Sequence, residues 1–366
     1  MVDTNLEFII DGDGHIMEDN AAIAKHMPPY YGTPGALDLR AMFPPIDHLH
    51  TAHFATTIGR EVRGNKQVGP DEWFQFLEDV GIDQTVLYPS GGLGYGKVVN
   101  RDYAIAVCKA YNNWLYETYL QKSDRFKGVA LIPMQEPDAA IEELRRAVND
   151  LGMVGTMLPS RGLALHLGAK EYWPVYAEAE RLNVSIAIHG GCHDGMGMDH
   201  LNVFEPVVAL GHSFGMMIAF GAMMYNGVFD RFPGIRVAFL EGGVGWLPFC
   251  IERFERMHET RKEIAIRKEE LMGPADDESI ADYIRKHVKA RRIFIGCEGH
   301  EPTLAHAVAE VGNEPFFFSS DFPHEVDEKF CRHEISEIRE QDGLSDTDKE
   351  AILHRNAAVF YNLSVN

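Results

Sequence analysis

The chain is predicted to be α/β, a single (β/α)8 barrel of the TIM type, distorted by insertions after its first, fifth and sixth strands. Three observations carry that expectation. Eight short apolar or β-branched runs alternate with longer helical patterns along the 366 residues. The runs are continuously apolar, as strands covered on both faces of a parallel sheet are. Several of them close on His, Asp or Glu, and barrel enzymes gather their reactive side chains at strand C-termini. A doubly wound open sheet is the competing fold. Two domains would also fit the length, but one barrel over residues 1–366 accounts for the alternation as well.

The first strand is expected over Phe8–His15, where Asp13 and His15 stand two apart and so project from the same face. A carboxylate beside an imidazole is a metal-ligand arrangement; the plainer reading is a strand running into a Gly-rich turn. The second strand, Gln84–Ser90, precedes Gly91–Lys97, which has the Gly-x-x-x-x-Gly-Lys spacing of a phosphate loop. Val98 stands where that motif needs Ser or Thr for magnesium, so a substrate loop is expected instead. A helix over Tyr103–Leu120 leads to the third strand, Phe126–Met134, and a helix over Asp138–Leu151, capped by Asp138 after Pro137, leads to the fourth, Val154–Ser160. The fifth, Val184–Gly190, carries His189 near its end. The sixth, Ile235–Gly243, carries Glu241, the seventh is Ile293–Gly299, and the eighth, Pro315–His324, carries Asp321. The stretch Arg253–Glu270 alternates charge signs at helical spacing and reads as a solvated or subunit-contacting helix.

Composition narrows the function. With 34 basic and 55 acidic residues the formal charge is −21, which argues against nucleic acid and anionic membrane as partners and leaves a small-molecule substrate. Cys108, Cys192, Cys250, Cys297 and Cys331 are scattered, with no Cys-x-x-Cys, so neither a disulfide framework nor a zinc ribbon is indicated. No leader pattern opens the sequence and no uninterrupted apolar run is judged long enough to span a bilayer, so a soluble, cytoplasmic protein is expected. His-Glu-x-x-His and Gly-x-Ser-x-Gly are both absent.

Carboxylates gathered at one barrel mouth repel one another unless a cation offsets them. Asp13, His15, His189, Glu241 and Asp321 are therefore the candidate ligands, with Zn, Mn or Fe suited to the donor set and room for two metals. Asp321, Glu241, His193 and His212 are the candidate catalytic groups. The two histidines lie between the fifth and sixth strands in a segment, Cys192–Phe214, long enough to fold back over the mouth. Cys192 reads as a small buried filler. His48, His50 and His53 occupy an irregular Pro- and Gly-rich insertion and read as surface residues or a lid.

Asp-x-Asp-x-His-x-x-Glu at Asp11 to Glu18, His-Gly-Gly at His189, the block from Arg231 to Gly243 and Ser-Asp-Phe-Pro-His-Glu from Ser320 together resemble the amidohydrolase superfamily. Within it, the chain is similar to the amidohydrolase-related group that includes aminocarboxymuconate-semialdehyde decarboxylase and the resorcylate-type decarboxylases. The resemblance implies that Asp13, His15, His189 and Asp321 hold a divalent cation, with Asp13 where many relatives carry the first His of His-x-His. Two departures stand out. The fourth strand ends Thr156-Met-Leu-Pro-Ser160 without the lysine whose carbamate bridges two metals in other members, and Glu241 stands where the decarboxylases carry a His.

Three readings follow. The first is hydrolysis or non-oxidative decarboxylation of a small carboxylate by a cation-dependent enzyme. The second is a dinuclear Fe or Fe/Mn monooxygenase similar to 2-aminoisobutyrate hydroxylase, with Glu241 and one or both of His193 and His212 at a second metal. The third is a non-catalytic partner subunit. A homo-oligomer or a heteromer with a related subunit is expected.

Overall fold

The computed structural model describes residues 8–31, 42–50, 68–261, 273–275 and 277–365. Eight strands follow one another in one parallel sheet: β1 (Ile10–Ile16), β2 (Gln84–Pro89), β3 (Phe126–Leu131), β4 (Gly155–Pro159), β5 (Ser185–His189), β6 (Val237–Phe239), β7 (Ile293–Cys297) and β8 (Phe316–Phe318). Helices cross over between them, so the architecture is the (β/α)8 barrel expected. Every residue of β1, β4, β5, β6, β7 and β8 is buried, which explains runs without polar alternation. Strand β8 is three fully buried phenylalanines, each side chain contributing roughly 1.5–3 kcal/mol of hydrophobic stabilisation.

The first and last strands meet at the mouth. The His15 N–H donates to the Phe322 carbonyl at 2.6 Å and the Asp321 N–H to the Asp13 carbonyl at 3.0 Å. Beneath them Asp11, fully buried, accepts from Thr85 Oγ1 (2.6 Å), Ser320 N (2.8 Å) and Ser320 Oγ (3.0 Å). Burial raises its carboxyl to about 6 against the pull of those bonds. A Cβ on Gly14 would fall 2.5 Å from the Trp73 ring and 2.7 Å from Asp11 Oδ2, so only glycine lets the strand approach this anchor.

Some boundaries differ from expectation. Strands β6 and β8 are three residues long, because the chain leaves the ladder early to turn into the mouth. Glu241 (φ 57°) and Asp321 (φ 53°) both sit in the left-handed region, a conformation that costs a non-glycine residue roughly 1–2 kcal/mol and clusters at working sites. The helix expected from Asp138 starts at Pro137, with Glu136 at the cap position. Proline is pre-set for the first helical turn, and Asp138 instead places its charge against the helix N-terminus. The helix expected over Tyr103–Leu120 runs from Arg101 to Leu115 and continues as a wider π turn over Tyr116–Leu120. The charged stretch Arg253–Glu270 enters the helix Trp246–Arg261, and its remainder lies outside the described residues.

One further expectation is corrected. The helix Phe204–Tyr225 is 22 residues long and, by length and composition alone, apolar enough to cross a membrane. Half of its apolar window is buried against the barrel, where its fully buried Met216, Phe220 and Met223 join the core. The five cysteines are buried and unpaired.

Candidate functional site

The strand tips converge on one point. His15 Nε2 lies 3.1 Å from His189 Nε2, 3.4 Å from Glu241 Oε1, and 3.6 Å from both Asp13 Oδ1 and Asp321 Oδ1. His189 Nε2 is 3.4 Å from Asp13 Oδ1. Atoms bound at roughly 2.0–2.2 Å to a common first-row ion stand roughly 2.8–3.6 Å from each other, so these spacings are those of a ligand shell.

The tautomers agree. His15 Nδ1 is 2.8 Å from the Pro89 carbonyl and His189 Nδ1 is 3.0 Å from the Gly190 carbonyl. A carbonyl only accepts, so both rings donate from Nδ1 and turn Nε2 inward. Asp13 is fully buried, and among the described residues neither of its carboxylate oxygens has a hydrogen-bond donor. An ionised group so placed is costly unless a cation meets it.

Charge within the cluster is tightly shared. Burial pushes the His189 imidazole down, but Glu241 and Asp13 outweigh it and raise the group to about 9. Burial likewise opposes ionisation of Glu241, and the charge on His189 holds its carboxyl well below the usual range nonetheless. Asp321 is pushed well above it by burial and by Glu241.

The sequence-derived residues do not all meet. Asp13, His15, His189, Glu241 and Asp321 share the strand-tip cluster. His212 reaches it from the helix Phe204–Tyr225, with Nδ1 buried, lacking a hydrogen-bond partner and 3.3 Å from Glu241 Oε2. Gly190 permits this, since a Cβ there would lie 1.7 Å from His212 Nδ1. Burial drives His212 down to about 3, so it is a neutral imidazole at ordinary pH. His193 turns away: its Nδ1 is 2.8 Å from Asp47 Oδ2, and its ring meets that of His212 edge-on at 4.7 Å.

Other residues near the mouth carried weaker signals. His324, inside the motif from Ser320, tilts over His15 at 4.2 Å, with Nδ1 3.0 Å from Asp321 Oδ1 and Nε2 2.6 Å from Ser90 Oγ. Glu298 follows β7 and opens into the cavity, its carboxyl raised to about 7 by burial and then by Glu241 and Asp13. His50, expected at the surface or in a lid, is 7% exposed and lines the cavity; His48 is exposed and His53 lies outside the described residues. Residues Gly91–Lys97 form short turns whose Gly91 and Leu93 line the same cavity, while Lys97 pairs with Asp194.

The cavity holds about 710 Å³. One wall is apolar, with Met42, Phe43, Leu93, Phe204 and Val208, and the floor carries Glu241, Glu298, Glu301 and Asp321. No lysine or arginine lines it among the described residues.

The family model described as Amidohydrolase matches residues 10–363. The chain is 26% identical over 298 residues to the 2-amino-3-carboxymuconate-6-semialdehyde decarboxylase of Dictyostelium discoideum, covering 81% of this chain and 77% of that protein. It is 28% identical over 282 residues to the gamma-resorcylate decarboxylase of Rhodococcus jostii (strain RHA1), covering 73% and 79%. Its fold is similar to that of the dihydroxybenzoic acid decarboxylase from Polaromonas sp. JS666, solved with bound manganese and the inhibitor 2-nitroresorcinol. That likeness has a TM-score of 0.69 at 19% identity and covers 97% of each chain. A match running from the first barrel strand to the last helix, over a mouth built from the residues that the motifs supply, makes this chain a member of the amidohydrolase family.

Proposed function

We propose that residues 1–366 form one cation-dependent lyase domain that removes the carboxyl group of a small conjugated carboxylate without an oxidant. The observation that carries this is the strand-tip cluster: the inward Nε2 atoms of His15 and His189, the Asp13 carboxylate without a hydrogen-bond donor among the described residues and the nearby Asp321, all at ligand-shell spacing. These residues fit a divalent ion, and manganese in a similar fold makes it the first metal to try. Such an ion, when bound, supplies positive charge that clamps and polarises a carboxylate.

The chain's own residues then do the rest. The apolar wall from Met42 to Val208 orients the substrate body and excludes water from it. With no cationic side chain among the described lining residues, an anionic substrate is held only where an ion neutralises the acidic floor. His324, between Asp321 and Ser90, fixes the direction of the Asp321 carboxyl. The names of the curated relatives support decarboxylation over hydrolysis. The test is release of CO2 from 2,6-dihydroxybenzoate and related aromatic acids by manganese-loaded protein. No release from any of them, with the metal in place, rejects the reading.

One observation favours a second reading, a centre with two metals. Glu241 Oε1 faces His15 Nε2 at 3.4 Å while its Oε2 faces His212 Nδ1 at 3.3 Å, so one carboxylate spans two sets of imidazoles. With no lysine at the end of β4, Glu241 would serve as the bridge, and His212 would supply a neutral nitrogen to the second ion. Two ions per chain including iron would point to oxygen chemistry, and one manganese or zinc to the lyase.

A further inference from the structure

A second group of imidazoles lies on the cavity wall away from the strand tips. Asp47 Oδ2 is 2.7 Å from His50 Nδ1 and 2.8 Å from His193 Nδ1, and Asp47 Oδ1 accepts the His50 backbone N–H at 2.8 Å. All three residues are buried. A carboxylate only accepts, so both rings carry their proton on Nδ1 and leave Nε2 as a lone pair. Asp47 stays ionised, held far below the usual carboxylate range by the two imidazoles even though burial opposes it. Of the two rings only His50 lines the cavity, between the Phe204 ring at 4.9 Å and His212 at 6.3 Å.

We propose that His50 is an acid–base residue of this cavity and that Asp47 is the positioning residue that fixes its tautomer. The inference rests on the decarboxylation reading and supplies its proton. Loss of CO2 breaks the carbon–carboxylate bond and leaves the electron pair on the substrate carbon. That carbon takes the Nε2 proton of the His50 imidazolium, forming a C–H bond, and the neutral ring recovers a proton from water. Asp47 on Nδ1 stabilises the imidazolium, as a buried carboxylate behind a catalytic histidine does. Among the described residues, the titratable groups facing His50 are Asp47 from its own turn, His193 from the segment after β5 and His212 from the helix Phe204–Tyr225.

Two measurements on the full-length protein test this. Nitrogen-15 spectra of histidine-labelled protein, assigned with H50Q and H193Q, are expected to show two rings protonated on Nδ1 in the wild type and no longer locked in D47A. Rings protonated on Nε2, or unchanged in D47A, overturn the role of Asp47. In CO2 release from 2,6-dihydroxybenzoate, H50Q is expected to lower kcat at least about a hundredfold, on the scale of general acid catalysis. KM and manganese content should hold, and the pH–rate profile should lose a limb that D47N retains at reduced amplitude. An active wild type matched by H50Q in rate and profile overturns the assignment of His50. A manganese-loaded wild type that releases no CO2 removes the decarboxylation reading and the His50 assignment together, while the spectra still decide Asp47.

Discussion

Two clusters of histidine and carboxylate lie within one cavity, and they are built in opposite senses. In the strand-tip cluster the protons point outward: Nδ1 of His15 and of His189 is spent on a backbone carbonyl, and the Nε2 atoms face each other and Asp13 at 3.1–3.6 Å. In the Asp47 cluster the protons point inward, from two Nδ1 atoms onto one oxygen at 2.7 and 2.8 Å. The first arrangement turns two Nε2 atoms toward a group of carboxylates, where a proton or a cation can sit. The second has both Nδ1 protons matched to the Asp47 carboxylate. The same residue types therefore build two different clusters, depending on whether Nδ1–H is taken by a backbone carbonyl or by the cluster's own carboxylate.

The sharpest way to break that contrast is H189A, which removes one of the two inward Nε2 atoms. It should lower manganese affinity beyond the roughly 10–100-fold typical of changes one shell further out, and abolish turnover. Full metal content by elemental analysis would count against the strand-tip site. E241Q comes next: it keeps the shape of the side chain but removes the charge facing His15 and His212. It should lower the metal-to-protein ratio or stop turnover with the melting profile preserved, and unchanged metal together with unchanged activity would reject its role.

A third effect separates the clusters by pH. His189 is raised from 6.5 to about 9, so in the absence of a divalent ion its share of stability is complete below about pH 6.5 and is lost as the pH rises through about 9. Thermal melts of chelator-treated protein should decline across that window. Manganese, which competes with the same proton, should flatten the decline. The smallest effect is a null: D47A should leave manganese content at the strand tips unchanged, because Asp47 contacts none of those ligands. A fall in manganese there would merge the two clusters into one site.

The barrel was legible because a parallel strand buried on both faces leaves an apolar run that no loop imitates. The ligand candidates were legible for a related reason, since a polar residue closing such a run has few places to point except the mouth. Asp47 and His50 were not legible as a pair. They lie in an irregular insertion without periodicity, and their partner His193 is 146 positions away. Glu298 carries no sequence signal, because the turn Cys297–Gly299 after β7 offers no motif. The short β6 and β8 were overextended because Glu241 and Asp321 adopt a left-handed backbone, which the apolar pattern around them does not announce.

The bonds that bring the tip of β1 against the tip of β8 also set the time at which the site comes into being. Ser320 and Asp11 are joined across 309 positions of sequence, and Asp13 meets Asp321 through the same seam. A ribosome must therefore release everything from β1 to the turn after β8 before the carboxylates and imidazoles can face one another. Until the final strand docks, the early Asp13 and His15 are an incomplete chelate with only part of their partners. The proposed loading with metal is then a late event in biogenesis, and an ion that binds the finished mouth more tightly than the open chain would stabilise the closed barrel by mass action.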